Sequence, residues 1–428
     1  MALTPYQMGF LSKLISIPST GGTAEEGAPY GKKPREALDF FLEEAEKEGF
    51  RTGVTGNRAG WVEFGSGDRL IGIICHLDVV PAGEGWKTDP FELAFIETEE
   101  GETLTGRGIL DDKGPAAASF FAMKELLEEK KIPKDCRVRL ILGTDEERSC
   151  SCIEYYAKHE EIPVFSITPD AEFPVIYCEK GIIHVSLTGK AVEGFTAKGG
   201  TAVNMVPASA SCRINGEEII VTGKSAHASR PDTGINAIQK LAEAAESFGH
   251  DLNSIPVLKF VRDFNGTEFS GCSIVDESGE LTSNIGLLEA DDSKCSLALD
   301  FRVPFTYDVQ EVIRSVEGKA REYGLELSVI NAMDALYKDR NSPEVQNLVN
   351  IWNKHMDKFT GFKEEHRRQF SEAMSIGGGT YARHIPNTVA FGPSIPWQDN
   401  MCHQANESIY TNDFIEWISV IKDFIRTV

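Results

Sequence analysis

No stretch of this sequence approaches the ~18 consecutive apolar residues that a membrane-crossing helix needs, which excludes a helical membrane span. Positive charge is also scarce: 43 lysines and arginines face 66 aspartates and glutamates, for a formal charge of −23. Such a surface repels phosphate backbones and anionic headgroups, so neither nucleic acid nor membrane is expected as a partner. The nine cysteines are odd in number and scattered. Cys150 and Cys152 form the only close pair, without the second pair that would complete a zinc site. A reducing, cytoplasmic compartment is expected. The opening MALTPYQMGFLSKLISIPST lacks the basic start, apolar run and small-residue cleavage site of a leader. It reads instead as a short amphipathic helix with Phe10, Leu11, Leu14 and Ile15 on one side, stopped before Pro18. Internal repeats and low-complexity linkers are missing too.

What is there is ordinary globular material, 41% hydrophobic and 25% charged, which argues against disorder. At 428 residues the chain is too long for one core, and two domains are expected. The first part alternates helix and strand. REALDFFLEEAEKE and PAAASFFAMKELLEEKK read as helices, while DRLIGIICHLDVV, CRVRLILGTDEE and IPVFSITPDAE read as strands. Apolar strands separated by helices predict a mainly parallel α/β sheet with helices on both faces. After Cys178 the texture changes to alternating strands of antiparallel type (IIHVSLTG, ASCRING, EEIIVTG, CSLALDFRVP). These are mixed with helices at TGINAIQKLAEAAESFG and VQEVIRSVEGKAREYG. From about Pro343 the helix–loop–strand pattern resumes. The expected architecture is a catalytic α/β domain, residues 1–178 and 336–428, interrupted by an inserted α+β lid domain, residues 179–335.

The acids fall in a pattern. His76 and Asp78 lie two apart near the end of one strand and so share a face. Glu146 and Glu147 follow a second strand, Asp170 lies just past a third, and Asp111 and Asp112 precede a helix. Open α/β sheets bind ligands outside the carboxyl ends of their strands. Taken singly, Asp111 or Asp112 could cap the helix, Glu146–Glu147 could be a solvated loop, and Asp170 a turn residue. Together they deliver acids and a histidine toward one crevice, and so many carboxylates repel one another unless cations neutralise them. A metal is the economical explanation, and nitrogen mixed with carboxylate oxygen suits zinc, with manganese or cobalt as alternatives. Cys75 and Cys402, next to histidines, read as small core residues.

At these residues the chain resembles the M20 family of metallopeptidases, and within it the PepV-like dipeptidases. The matching segments are HLDVVPAGEGW, GRGILDDKGP, GTDEERSC, TPDAEFPV, GKSAHAS, DFRVP, GGGTYAR and CHQANE, in family order across nearly the whole chain. The resemblance implies two divalent ions, Zn2+ first, with Asp111 bridging them, His76 and Asp170 on one, and Glu147 and His403 on the other. It implies Glu146 as general base for a metal-bridging water, Asp78 behind His76 holding its tautomer, and a cis peptide between Asp111 and Asp112. His227 in the lid would donate to the oxyanion. Arg302 would grip the substrate carboxylate through its fork, Asn204 would add a polar contact, and Gly377, Gly378 and Gly379 would bring backbone amides close to the peptide. The implied activity is hydrolysis of unblocked dipeptides by a monomer or homodimer. The alternatives are a deacylase or aminoacylase acting on N-acyl amino acids, or a non-catalytic binding protein on the same fold. The chain is short for this branch, with the shortfall expected in the lid.

Overall fold

The structure, a computed structural model, describes residues 2–131 and 134–428. The chain divides into two compact units. The first holds residues 1–177, 338–374 and 380–428, and the second residues 178–337 together with the short segment 375–379.

In the first unit seven strands lie side by side in the order Arg51–Thr55, Ala59–Gly65, Cys136–Gly143, Arg69–His76, Phe165–Thr168, Thr388–Phe391, Val175–Glu179. The four central strands are parallel, and the flanking pairs are antiparallel. Every residue from Leu70 to His76 is buried, so both faces of that strand are covered, as its unbroken apolar run requires. The first helix, Pro5–Ile15, begins with a capping box on Thr4 and Gln7 and ends ahead of Pro18. Its buried side carries Phe10, Leu11, Leu14 and Ile15, as its spacing predicts. Phe10 packs edge-on against Phe41 at 5.2 Å and meets Phe120 and Phe121 of the helix Lys113–Glu128 at 5.4 Å. Each such ring buried contributes ~2–3 kcal/mol, which fixes the helix that starts directly after Asp112.

The second unit is built on seven antiparallel strands in the order Glu217–Thr222, Ser209–Ile214, Phe195–Gly199, Thr282–Ala290, Lys294–Val303, Gly181–Lys190, Glu326–Met333. Phe195, Ala197 and Gly199 point inward while Thr196 and Lys198 are exposed, the alternation of a sheet with one wet face. Helices Ala237–Ser247 and Val309–Glu322 contribute Ile238, Leu241, Val312 and Val316 to the core of this unit. Among the described residues no helix is long and apolar enough to cross a membrane, and all nine cysteines are unpaired. Cys75 is buried as expected, but Cys402 is only half-buried, because it sits on a loop rather than inside the sheet.

Candidate metal centre

Three strand ends of the first unit and two loops supply the acids. The strand Arg69–His76 ends on His76, which is fully buried. Its Nδ1 lies 3.0 Å from the carbonyl oxygen of Asp78. That partner can only accept, so Nδ1 carries the proton and Nε2 is left to face the acids. Nε2 is 3.0 Å from Asp111 Oδ1, 3.8 Å from Asp170 Oδ2 and 4.0 Å from Glu146 Oε2. The other oxygen of Asp111 lies 2.9 Å from Nε2 of His403, which is also 3.1 Å from Glu147 Oε2. His76, Asp111, Glu146, Glu147, Asp170 and His403 are thus brought together from places as far apart in sequence as residues 76 and 403.

Two sequence expectations take a different form. Asp78 was expected to hydrogen-bond the imidazole of His76 and fix its tautomer, and it does so through its backbone carbonyl, while its Oδ1 lies 3.6 Å from Nδ1. Its two carboxylate oxygens instead accept the backbone amides of Glu146 and Glu147, each at 3.1 Å. The carbonyl orients the imidazole while the carboxylate pins the loop that carries both glutamates. Asp112 occupies the N-cap position but makes no side-chain cap. Its carboxylate accepts the His76 amide at 2.9 Å, which leaves Asp111 facing the cluster. The Asp111–Asp112 peptide is cis.

The electrostatics show what the cluster demands. Burial works against charge on His76, but Asp111 and Asp78, with Asp170 and Glu146 nearby, push its pKa well up. Asp111 and Glu147 raise His403 to about 10. Burial, with repulsion from Glu147 and Asp111 outweighing the pull of His76, lifts Glu146 to about 7. Burial and the charges of Asp111 and Glu146 likewise push Asp170 well up. Burial also works against a charged Asp111, but His403 and His76 hold it far below the usual carboxylate range. Without cations, protons must do the neutralising. Glu147 Oε1 is buried and has no hydrogen-bond partner, an oxygen turned inward with nothing to accept. This donor set, imidazole nitrogen with carboxylate oxygen, fits divalent cations.

The second unit gathers another set of the predicted residues. Asn204 precedes a two-residue strand, Met205–Val206, which pairs with Ala226–His227, and its carbonyl accepts the amide of Ala228 at 2.9 Å. The Ser229 amide donates to His227 Nδ1 at 3.2 Å, which leaves the proton of the neutral ring on Nε2 as an outward donor. Burial and the positive charge of Arg302 lower the pKa of His227 and keep it neutral. Arg302 is buried, and its fork is already engaged: Nε and Nη2 each donate to Asp300 at 2.7 Å, and Nη1 donates to the Gly377 carbonyl at 3.0 Å. Only its remaining N–H groups are open to a ligand. Gly377 lies so close to Ser229 that an added Cβ would sit 3.0 Å from the serine Cβ. Gly378 is half-buried and Gly379 exposed.

Sequence reasoning passed over Arg107 and Glu407. Both are buried and paired at 2.7 Å, and they lie inside matched segments whose other residues drew the attention.

Comparison with known proteins gives a consistent result. The profile of peptidase family M20/M25/M40 matches residues 72–427. A protein of Staphylococcus aureus (strain MW2) named "Putative dipeptidase" is 32% identical over 465 aligned residues, covering 98% of this chain and 96% of that protein. Its counterpart in strain USA300 aligns over 466 residues at the same identity and coverage. An M20 family metallo-carboxypeptidase from Sulfolobus solfataricus shares the fold with a TM-score of 0.62 at 16% identity, covering 99% of each chain. The aminoacylhistidine dipeptidase of Vibrio alginolyticus gives a TM-score of 0.62 at 14% identity, covering 100% of this chain and 97% of that one. With a family match over most of its length and full-length relatives above 30% identity, this chain belongs to the M20 family of metallopeptidases, hydrolases of peptide bonds.

Proposed function

We propose that the chain is a two-metal dipeptidase, with zinc as the first expectation and manganese or cobalt as alternatives. One observation carries the reading: the two oxygens of Asp111 each face a different imidazole, His76 at 3.0 Å and His403 at 2.9 Å. A carboxylate divided in this way suits a bridging ligand. His76 and Asp170 would hold one ion, and Glu147 and His403 the other. When bound, such ions supply Lewis acidity to the scissile carbonyl and acidify a water.

The residues of the chain do the rest. Glu146 stands 4.0 Å from His76 Nε2, within the cluster, and its raised pKa suits a group that must take a proton and give it back. It accepts the proton of the attacking water and passes it to the leaving amine. Asp78 holds the amides of Glu146 and Glu147 and, through its carbonyl, the His76 tautomer. His227 donates from Nε2 to the oxyanion. Arg302, steadied by Asp300, offers its remaining N–H groups to the substrate carboxylate, with Asn204 and the backbone of Gly377–Gly379 adding contacts. The dipeptide substrate is supported by the full-length relatives named as dipeptidases. The nine unpaired cysteines accord with a reducing cytoplasm, and the −23 charge with a small peptide rather than a polyanion as partner.

The test is a panel of unblocked dipeptides beside N-acyl amino acids, each assayed with protein loaded with zinc or with manganese. Turnover of dipeptides is expected. Turnover confined to the acyl substrates selects the deacylase instead, and no turnover of either overturns both the dipeptidase and the deacylase readings.

A further inference from the structure

Glu407 is buried completely, so its carboxylate must find its partners inside the protein. Its Oε1 accepts the amides of Leu110 at 2.8 Å and Asp111 at 3.1 Å, and the Gly108 amide lies 3.1 Å from both of its oxygens. Oε2 takes Nη1 of Arg107 at 2.7 Å. Arg107, 1% exposed, continues outward: its Nη2 donates to the carbonyl of Ala82 at 3.1 Å and to that of His403 at 3.4 Å. Its guanidinium also lies 5.2 Å from the centre of the Trp86 ring. Three segments that are remote in sequence, 82–86, 107–111 and 403–407, therefore meet on one ion pair.

Two of those segments carry proposed ligands. Glu407 grips the backbone amide of Asp111 itself. Arg107 grips the carbonyl of His403, whose φ of +63° lies in the left-handed region that a non-glycine residue rarely adopts. Breaking a buried pair of this kind leaves an uncompensated charge, so it holds its geometry tightly once formed. We propose that Arg107 and Glu407 are positioning residues, which set the placement of Asp111 against His403 and thereby the affinity of the metal held on the His403 side. This rests on the two-metal reading above.

A purely structural ion pair would stabilise the protein equally with and without metal. The molecule supplies its own control for that case: Arg139 and Glu63 form a buried pair at 2.7 Å on the neighbouring strands Cys136–Gly143 and Ala59–Gly65 and contact none of the cluster. Wild type, Glu407→Gln, Arg107→Lys and Glu63→Gln are each stripped of metal and titrated with Zn2+ by calorimetry, and Tm is recorded in the metal-free and loaded forms. Glu407→Gln should bind Zn2+ about 10- to 100-fold more weakly at one of its two steps, the size of effect seen when partners of metal ligands are lost. Its metal-induced rise in Tm should shrink accordingly. Arg107→Lys keeps a cation near Glu407 but cannot reach the Ala82 and His403 carbonyls together, so it should show the same change to a lesser degree. It carries the test if Glu407→Gln does not fold. Glu63→Gln should lower both Tm values in parallel and leave Zn2+ binding unchanged. Wild-type binding and an unaltered metal-induced rise in Tm in the folded variants at 407 or 107 would overturn the inference alone. A wild type that takes up no Zn2+, Mn2+ or Co2+ would instead overturn the two-metal reading beneath it.

Discussion

The two units assemble their polar residues by opposite means. In the first, His76, Asp78 and Asp112 are shut away from solvent, and backbone amides from other segments anchor Asp78, Asp112 and Glu407. In the second, His227 and Asn204 sit exposed on a two-strand ribbon, held by a few local bonds. A crowd of buried carboxylates is costly and persists only when its geometry is over-determined and its charge is balanced. The imidazoles of His227 and His403 are both partly open to solvent, and what separates them is charge: His403 lies between the carboxylates of Asp111 and Glu147, whereas His227 has the cation of Arg302 nearby. The first arrangement suits groups that must hold ions in place before substrate arrives, and the second suits groups that meet the substrate itself.

The sharpest way to break that division is Glu146→Gln. If Glu146 moves protons and does not hold metal, kcat should fall ~10²–10⁴-fold, while elemental analysis finds the wild-type metal content. Lost metal together with lost activity would move Glu146 among the ligands. His227→Ala probes the other side. If His227 is the oxyanion donor, its loss should lower kcat ~10²–10³-fold and leave Zn2+ binding at the wild-type value. A change in metal affinity would erase the distinction between the sets.

Metal removal comes next in size. Ions present at 100 times their dissociation constant stabilise the folded state by ~2.7 kcal/mol, which chelation should abolish. Hydrogen exchange should then speed up in 107–111 and 403–407, and the sheet of the second unit should keep its protection. Equal deprotection of both units would mean that the ions stabilise the chain as a whole.

The same contrast governs what could be read in advance. His76, Asp78, Glu146, Glu147 and Asp170 were legible because they sit at strand ends that apolar runs make visible. The central parallel strands followed from the same runs, and the Pro5–Ile15 helix from its apolar spacing. Spacing alone left the choice between Asp111 and Asp112 open and only the family resemblance pointed to Asp111, because the choice turns on a single backbone amide, that of His76, which Asp112 accepts. Glu407 was hidden for a similar reason: its partners are the amides of Gly108, Leu110 and Asp111, and amides have no residue type. A salt bridge within the lid is the alternative that the sequence offers for Arg302, and Asp300, two residues before it on the same strand and so on the same face, supplies that bridge. Strands Arg51–Thr55 and Glu326–Met333 went unmarked, since their burial is partial and their apolar alternation weak.

Acid sharpens the comparison with the smallest effect. Lowering the pH protonates the ligand carboxylates and imidazoles and so releases metal, but a second acid-sensitive group lies elsewhere in the first unit. Asp423 accepts from His355 Nε2 at 2.8 Å and pairs with Lys354 and Arg426, while Glu416 and Lys358 bracket the other side of the same imidazole. Burial works against a charged Asp423, yet Lys354 and His355 hold its pKa down to about 2. A carboxylate whose pKa is lower folded than unfolded (~3.9) stabilises the protein above its unfolded value, and that contribution is lost as pH falls through the folded one. The window is therefore pH ~4 down to ~2, and a solvent-screened pair of this kind is worth ~1 kcal/mol. Asp423→Asn should lower stability by about that much at neutral pH and should flatten urea-unfolding stability across this window, with dipeptide cleavage at pH 7 unchanged. If the variant, measured free of metal, keeps the full wild-type slope, the acid response of the first unit lies with its other depressed carboxylates, Asp111 inside the cluster and Glu129 outside it, whose pKa Lys131 and Lys422 hold down to about 2.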